Sequence, residues 1–305
     1  MPFSITILGS SAALPALGRF PSSQYINIGK HHFLVDAGEG TQIQMTKFGV
    51  SPNKIEAIFI SHLHGDHYLG LMGLLFSMHL NKRTTDLHLY SFKGLNEIIL
   101  LQLKYSKSVL NFTIIFHELK EESSEIIFES LFITVRTLPL KHKISCNGFL
   151  FREKPKFRRI NKDKLPSGIL IQHTASLKKG EDVFGDDGKL LYRNEDYTLS
   201  PRASRAYAYC SDTAYHEPLK EHLTDVDLLY HEATFLEEEV AKAVETKHST
   251  AKEAATIAHL SSVKKLIIGH FSARYHSPDV LLNEARITFQ ETYLATEGET
   301  FNIEE

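Results

Sequence analysis

The seven residues from Ser61 to His67, SHLHGDH, place three histidines and one aspartate in a single short segment. Histidine and aspartate are side chains that zinc and related divalent ions bind. His62 and His64 are two residues apart and can face one ion, whereas the adjacent Asp66 and His67 must point in different directions. Because one zinc ion normally takes about four ligands, this crowding predicts two ions that share the segment and take further ligands from elsewhere.

Three further candidate ligands follow apolar, strand-like runs, which is the local setting of SHLHGDH itself. They are His142 in PLKHK, Asp212 in YCSDT and His270 in IIGHF. A carboxylate has two oxygens, so Asp212 can bridge two ions. The residues form two predicted ligand sets, one of His62, His64, His142 and Asp212 and the other of Asp66, His67, Asp212 and His270. Two divalent ions lower the pKa of a shared water toward neutrality and stabilise both the attacking and the leaving oxygen of a phosphoryl transfer.

Hydrophobic periodicity predicts the elements that must position these side chains. Apolar and β-branched runs predict strands within residues 3–9, 31–41, 55–60, 87–92, 112–139, 205–212, 226–234 and 264–271. Residues 68–80, 95–106 and 248–260 have helical spacing, and Thr250 with Glu253 has the spacing of a capping box. Polar residues gather where the predicted strands end, which is where open α/β sheets place their sites. The pattern therefore predicts a layered core of sheets and helices with its site at one sheet edge.

Residues 152–180 depart from this pattern, because Pro and Gly interrupt them and their periodicity is poor. They contain nine lysines and arginines but only two acidic residues, a balance of +7. Since the whole chain carries −3, the remainder carries −10 and would repel RNA. A basic arm, with approximate bounds 152–196, is therefore a predicted RNA contact. Its candidate contact residues are Lys154, Lys156, Arg158, Arg159, Lys162, Lys164, Lys178 and Lys179.

The composition of the 305 residues, 42% hydrophobic and 23% charged, is typical of a globular protein. Its length suits one large α/β domain or two ordinary ones. Only two cysteines occur, Cys146 and Cys210, so no disulfide framework is expected and a cytoplasmic location fits. The first residues lack the features of a secretory signal, and the longest apolar run is too short to span a bilayer. We therefore expect no membrane association.

The motif His-x-His-x-Asp-His after a strand, with its downstream ligands, resembles the metallo-β-lactamase fold. Within that fold the chain resembles the short form of ribonuclease Z, the tRNA 3′-processing endonuclease family. The shared motifs include DAGEGTQIQ, HEAT at 231–234, HST at 248–250 and SARY at 272–275, and they extend over nearly the whole chain. The resemblance implies one catalytic domain over residues 1–305, a four-layer αβ/βα sandwich with two Zn²⁺ ions per subunit at one edge. Imidazole and carboxylate ligands are also compatible with Mn²⁺ or Fe²⁺.

The resemblance also implies a reaction and a set of roles. The family cuts precursor tRNA after the discriminator base and leaves a 3′-hydroxyl, as a homodimer in which one subunit's arm grips tRNA at the other's site. Asp66 is implied to be the general base and His248 the proton donor to the leaving oxygen. Glu232 is a candidate to orient His248, because a carboxylate can fix a histidine tautomer. Arg274 is a candidate phosphate partner, since guanidinium pairs well with phosphate.

The sequence departs from the family's pattern at three places. Ser211 stands where the family has Gly before Asp212, and a serine there requires a negative φ or tolerated strain. RFPSS at 19–23 replaces the family's Arg-Asn-x-Ser-Ser. The arm has LPSGIL at 165–170 instead of a Gly-Pro pair near its tip.

Other functions are compatible with the same residues. A small-molecule phosphodiesterase or an arylsulfatase-like hydrolase would use the same dinuclear site without the arm. An RNA-binding module with a structural metal would bind RNA without turnover. Each added role also has a structural alternative: His248 could pack its helix, Glu232 could be structural and Arg274 could form a surface ion pair.

Overall fold

Two seven-stranded sheets lie face to face at the centre of the computed structural model, which describes residues 1–121 and 123–305. The first sheet contains, in spatial order, β18 (Thr300–Asn302), β1 (Phe3–Gly9), β2 (Ser23–Ile28), β3 (His31–Val35), β4 (Ala57–Phe59), β5 (Leu87–Ser91) and β6 (Ile114–Glu118). The second contains, in spatial order, β17 (Thr292–Leu294), β16 (Lys265–Gly269), β15 (Leu228–Glu232), β14 (Ala206–Cys210), β9 (Asn147–Glu153), β8 (Ile133–Pro139) and β7 (Ile126–Glu129).

Helices cover the outer faces of both sheets. The first sheet is accompanied by α1 (Thr41–Lys47), α2 (Gly65–Tyr68), α3 (Leu71–Leu80) and α4 (Leu95–Tyr105). The second is accompanied by α7 (Val240–Thr246), α8 (Ala251–Leu260) and α9 (Asp279–Thr288). Short 3₁₀ turns occupy residues 52–54, 217–222 and 237–239. Among the helices of the described residues, none has both the length and the apolar character needed to cross a membrane.

Alternation along the strands divides the apolar residues between two cores. Phe33 and Phe59 point between the sheets, where their rings lie 5.6 Å and 5.4 Å from those of Phe151 and Phe149. Ile58, the residue before Phe59 in β4, has the opposite orientation in the pleat and packs with the helices on the outer face. The result is the predicted four-layer αβ/βα sandwich, so the expected fold class is confirmed.

Parallel pairing brings many strand ends to one edge of the sandwich. β3 to β6 pair in parallel in the first sheet, and β14 to β17 do so in the second. The loops at this edge approach one another closely, which explains the glycines of DAGEG. A Cβ on Gly38 would lie 2.4 Å from the carbonyl oxygen of Asp66, and one on Gly70 would lie 2.0 Å from the Gly38 oxygen. Larger residues at these positions would push the loops apart.

The predicted arm occupies residues 154–205, between β9 and β14. It contains β10 (Arg159–Ile160) paired with β13 (Thr198–Leu199), and β11 (Val183–Phe184) paired with β12 (Leu190–Tyr192). Two helices lie between these strands, α5 (Ile171–Lys179) and α6 (Asn194–Tyr197). The arm therefore has its own secondary structure, which its sequence periodicity did not indicate. Residues 152 and 153, which the sequence bounds assigned to the arm, belong to β9.

The arm leaves the sandwich at the edge opposite the gathered strand ends. In the β8–β9 ladder, Pro139 pairs with Asn147 at the first edge and Ile133 pairs with Glu153 at the opposite one. β14 then begins at the opposite edge, because Ala206 pairs with Arg152. The base of the arm is thus about 20 Å from the first edge, at about 3.3 Å per strand residue.

The base of the arm is tied to both ends of the chain by one buried arginine. Arg205 donates to the two carboxylate oxygens of Glu153 at 2.6 and 3.0 Å. It also donates to the carbonyls of Met1 and Ile303, each at 2.9 Å. This single guanidinium therefore joins the base of the arm to the first residue and to the residue that follows β18.

Candidate metal centre

The edge where the parallel strands end holds all seven predicted ligands. His62, His64, Asp66 and His67 follow β4, and the latter two lie in the first turn of α2. His142 lies in the β8–β9 loop, Asp212 follows β14 and His270 follows β16. Their ligand atoms form two clusters with the membership that the sequence predicted.

In the first cluster the ligand atoms have the spacing of a tetrahedral site. His64 Nδ1 lies 3.1 Å from His62 Nε2 and 3.1 Å from His142 Nε2. Asp212 Oδ2 lies 3.6 Å from His62 Nε2 and 3.7 Å from His142 Nε2. Ligands about 2.0–2.1 Å from a zinc ion at tetrahedral angles are about 3.3 Å apart, so these atoms surround a space of suitable size.

The second cluster has the same spacing and shares Asp212 with the first. His67 Nε2 lies 3.3 Å from Asp66 Oδ2 and 3.3 Å from Asp212 Oδ1. His270 Nε2 lies 3.4 Å and 3.2 Å from the same two oxygens. Asp212 therefore offers one carboxylate oxygen to each cluster, which is the arrangement of a bridging ligand.

The electrostatics of the clusters also fit divalent cations. The Nε2 atom of His67 is buried and makes no hydrogen bond within the described residues. Burial lowers the pKa of His67, but the carboxylates of Asp212, Asp36 and Asp66 outweigh it and raise the pKa well above its usual value. Burial and the neighbouring His67 lower the pKa of His62. The three carboxylates thus favour positive charge at the buried His67, which a divalent ion bound at its Nε2 would supply in place of a proton.

Asp36 supports the second cluster and was not identified from the sequence. Its Oδ2 lies 2.7 Å from His67 Nδ1 and accepts from the hydroxyl of Tyr209 at 2.7 Å. The amide and hydroxyl of Ser61 donate to its two oxygens at 2.7 and 2.9 Å. An acceptor at Nδ1 places the proton there and leaves Nε2 of His67 free for an ion. Its position in the sequence could have indicated this role, because Asp36 directly follows a strand, as the ligands do.

Two other histidine ligands are oriented in the same way. The carbonyl of Lys247 can only accept, so the 2.8 Å contact places a proton on His142 Nδ1 and turns Nε2 toward the cluster. Thr234 Oγ1 lies 2.8 Å from His270 Nδ1 and donates its own proton to Glu232 at 2.7 Å. Both supports were missed by sequence reasoning.

Glu232 and His248 lie together beside the clusters, as the sequence proposed. One carboxylate oxygen of Glu232 lies 2.9 Å from His248 Nδ1 and accepts from the amide of Thr213 at 3.0 Å. Burial lowers the pKa of His248, but the Glu232 carboxylate outweighs it and raises the pKa to about 9. His248 is therefore protonated at neutral pH, with its ring 5.0 Å from that of His142. Glu232 also holds the loop of Asp212 through Thr213.

The departure at Ser211 is accommodated without strain. Ser211 is not among the non-glycine residues with positive φ, so its backbone does not need a glycine. Its hydroxyl lies 3.3 Å from Asp212 Oδ1. By contrast, Asp36 and His270 have φ of 55° and 60°, an uncommon conformation that is concentrated at functional sites.

Arg274 lies near the centre but has a partner of its own. Its guanidinium lies 2.6 Å from a carboxylate oxygen of Glu239 and 5.0 Å from the ring centroid of Phe235. Both charged groups are partly exposed, and such pairs contribute little, so a substrate phosphate could compete for the arginine. Its role toward phosphate stays a prediction.

The basic residues of the arm lie apart from the metal centre. Near the base, Lys154 pairs with Glu129 at 2.6 Å and Lys156 with Glu305 at 3.2 Å. Further out, Nε of Arg158 donates to Thr198 and that of Arg159 to the carbonyl of Ser200. The side chains of the remaining four predicted contacts are exposed, namely Lys162, Lys164, Lys178 and Lys179.

Comparison with known proteins gives one family model that matches about the first half of the chain and curated relatives that match nearly all of it. The family model described as "Anti-Pycsar protein Apyc1" matches residues 3–157. A curated ribonuclease Z of Cytophaga hutchinsonii is 45% identical over 99% of this chain and 97% of its own. One of Bacteroides fragilis strain YCH46 is 42% identical over 97% of each chain.

Solved structures agree with this likeness. The short form of human tRNase Z has a TM-score of 0.74 at 27% identity, covering 99% of this chain and 100% of its own. A metallo-β-lactamase fold protein of Bacillus subtilis, with a TM-score of 0.68 and 18% identity over 99% of each chain, shares the fold.

Proposed function

The chain belongs to the ribonuclease Z family, and from this membership we propose that it removes the 3′ trailer from precursor tRNA by phosphodiester hydrolysis. The cut follows the discriminator base and leaves a 3′-hydroxyl on the tRNA. The observation that carries the proposal is the pair of ligand clusters joined by Asp212. Paired divalent sites of this kind suit the in-line displacement of a phosphodiester.

We propose that two Zn²⁺ ions bind per subunit, one in each cluster. The first would be held by His62, His64, His142 and Asp212, and the second by Asp66, His67, Asp212 and His270. When bound, the ions would supply positive charge to the phosphoryl oxygens and acidify the attacking water. The support for zinc is the chemistry of the donors, since imidazole nitrogen and carboxylate oxygen at tetrahedral spacing suit it.

Asp66 and His248 have complementary proton-transfer roles in this proposal. Burial raises the pKa of Asp66, but His67 and His270 outweigh it and bring the pKa below its usual range, so the carboxylate is ionised. The carboxylate can therefore accept a hydrogen bond from the attacking water and hold that water in place, which is how it would assist the water's deprotonation. His248 carries a proton at neutral pH and can give it to the leaving 3′-oxygen. Glu232 is then a positioning residue, because it fixes the His248 ring.

The position of the arm supports a homodimer in which tRNA contacts both subunits. The arm begins at the edge opposite its own metal centre, about 20 Å away. The first half of the arm is basic, whereas residues 181–205 contain six acidic and four basic residues. We propose that the basic half grips tRNA whose scissile phosphate lies at the partner subunit's centre. The reaction would take place in the cytoplasm, where the buried thiols of Cys146 and Cys210 remain reduced.

A precursor tRNA with a 3′ trailer tests the proposed function. The zinc-loaded protein should cut it after the discriminator base, and end mapping should show a 3′-hydroxyl on the tRNA product. Asp66→Ala should abolish this cleavage. A fully loaded protein that leaves the trailer intact would overturn the proposal.

The alternative is a small-molecule phosphodiesterase or arylsulfatase-like hydrolase, because the metal centre is complete without the arm. Replacing residues 155–203 by a short Gly-Ser linker discriminates between the two. The whole excursion should be removed, since β10 and β13 pair across it. Loss of precursor cleavage with retained turnover of bis(p-nitrophenyl) phosphate supports the ribonuclease. Turnover of bis(p-nitrophenyl) phosphate by both proteins, with specific precursor cleavage by neither, favours the small-substrate enzyme.

A further inference from the structure

A cleft of about 580 Å³ lies along the same edge of the sandwich, beside the loops that carry His62, His64 and His142. It lies at the ends of β4, β5 and β6 and against the β8–β9 loop. Leu63, which lies between two ligands, and Ile144, two residues after a third, form the part nearest the centre. Phe92, Leu119, Lys93 and Lys120 line the rest.

The lining of the cleft combines an apolar interior with charged rims. Phe92 and Leu119 are 7% and 4% exposed, whereas Ile144 remains 39% exposed. Lys93 is exposed at the rim, and Lys120 forms a solvent-exposed pair with Glu125 at 2.8 Å, of the kind that contributes little. Glu118 and Glu121 also line the cleft. Apolar side chains accept the face of a base, while lysines at the rim suit a phosphate.

The two carboxylates in the cleft determine which part of a nucleotide it can bind. Glu118 and Glu121 would repel phosphate oxygens, but they can accept hydrogen bonds from the amino groups of a base edge. The base is therefore the part that fits inside, with the backbone passing the rim at Lys93. A paired acceptor stem is too wide for this space, whereas an unpaired trailer can turn one base outward.

We propose that this cleft binds the base of the first trailer nucleotide, with Ile144 and Leu63 against the base and Lys93 at its phosphate. The inference rests on the proposed ribonuclease function and adds a subsite to it. The subsite holds the segment that leaves, so it fixes the position of the scissile phosphate relative to the metal centre.

Two precursor tRNAs test the subsite, one natural and one with an abasic first trailer nucleotide. In the wild-type protein the missing base should lower kcat/KM by about tenfold, because the apolar surface of Ile144 and Leu63 then stays in contact with water. In Ile144→Ser the natural precursor should be cut more slowly, and the abasic change should then cost less than about twofold. Lys93→Ser should raise KM for the natural precursor, whereas the matched surface variant Lys54→Ser, before β4 at the opposite edge, should not.

The outcomes separate this inference from the proposed function. If the wild-type protein cuts both precursors equally well, or the abasic penalty is the same in Ile144→Ser, the subsite is wrong while the ribonuclease stands. If the wild-type protein cuts neither precursor, the proposed function fails and the subsite falls with it. Thermal unfolding of the Ile144→Ser and Lys93→Ser variants tests whether each is folded. If one variant does not fold, the result from the other still tests the proposal.

Discussion

Asp36 is a buried carboxylate that is not a ligand in the proposed centre. It nevertheless determines the orientation and the tautomer of one ligand, His67. It accepts from Ser61 and Tyr209 and lies 2.7 Å from His67 Nδ1. These contacts bring β3, β4 and β14 together at a single residue. Such supports of metal-bound histidines commonly matter almost as much as the ligands.

Replacing Asp36 by asparagine should weaken metal binding without removing a ligand. The amide keeps the size of the side chain but loses the charge that holds a proton on Nδ1 of His67. Zinc affinity of the metal-free protein, measured by competition with a chelator, should fall about 10- to 100-fold. Asp86→Asn, at an exposed position, is the matched control. Unchanged affinity in Asp36→Asn, with the fold intact by circular dichroism, would contradict the supporting role.

The raised pKa of His248 makes a prediction about pH. A proton donor with a pKa of about 9 is active below that pH and loses activity as the pH rises through it. Precursor cleavage should therefore show an alkaline limb near pH 9. His248→Ala should lower kcat by about 10²- to 10⁴-fold and remove that limb, whereas His259→Ala on the surface of α8 should change neither. A limb that survives in His248→Ala would assign the proton to another group.

At the scale of elements, the sequence predicted the strands and helices whose apolar residues recur with a regular local period. β1 has the predicted bounds 3–9, and α4 ends one residue before its predicted end. The capping box at the start of α8 is present in both directions, between Thr250 and Glu253. By contrast α5 was missed because the arm has little apolar periodicity, with only Leu177 buried in that helix.

The metal centre, too, could be predicted only where a local sequence pattern marks its residues. The seven proposed ligands were readable because each follows a strand-like run, and parallel strands end at one edge. The supports were not readable, because they join residues far apart in the chain. The contact between His142 and the Lys247 carbonyl spans 105 residues and depends on a backbone atom that every residue has. No residue type could have indicated it.

Loss of the capping box should have a moderate effect on stability. Thr250→Ala removes the acceptor for the amide of Glu253 at 3.1 Å, and the free energy of unfolding should fall by about 0.5–2 kcal/mol. Urea unfolding would measure this. Thr256→Ala, on the exposed face of the same helix, should change it by less than about 0.5 kcal/mol. If both variants lose the same free energy of unfolding, the capping hydrogen bond does not contribute to stability.

At the scale of the whole molecule, Arg205 connects parts that are distant in sequence. Burial raises the pKa of Glu153, but hydrogen bonds from Arg205 and Lys156 outweigh it and lower the pKa to about 2. The ion pair therefore contributes stability above the carboxylate's ordinary pKa of about 4.3, and this is lost as the pH falls toward 2.

Arg205→Met should destabilise the protein by about 3–5 kcal/mol at neutral pH, because the buried Glu153 carboxylate loses its bidentate partner and retains the weaker contact with Lys156 at 2.9 Å. The loss should shrink between pH 4.5 and 2, as Glu153 becomes protonated in both proteins. Denaturant unfolding across this pH range is the measurement. A difference between the two proteins that does not change with pH would exclude the ion pair as its source.

If each arm serves the partner's centre, two inactive variants should restore activity together. One variant lacks residues 155–203 and the other carries Asp66→Ala. In a mixed dimer the arm of the second subunit reaches the intact centre of the first. Random mixing makes half of the dimers mixed, each with one working centre, so about a quarter of wild-type cleavage should return. Mixed dimers that form in a pull-down but do not cut would show that the arm acts on its own subunit.

The last strand of the chain, β18, completes the sheet that contains the first. Its residues 300–302 pair with β1 and close the edge of that sheet. While the protein is being synthesised, the N-terminal half can collapse, but β1 keeps an unpaired edge that favours association with other nascent chains. The pairing of β1 can therefore be completed only after residues 300–302 have been synthesised, and a chain truncated before them would keep that edge open.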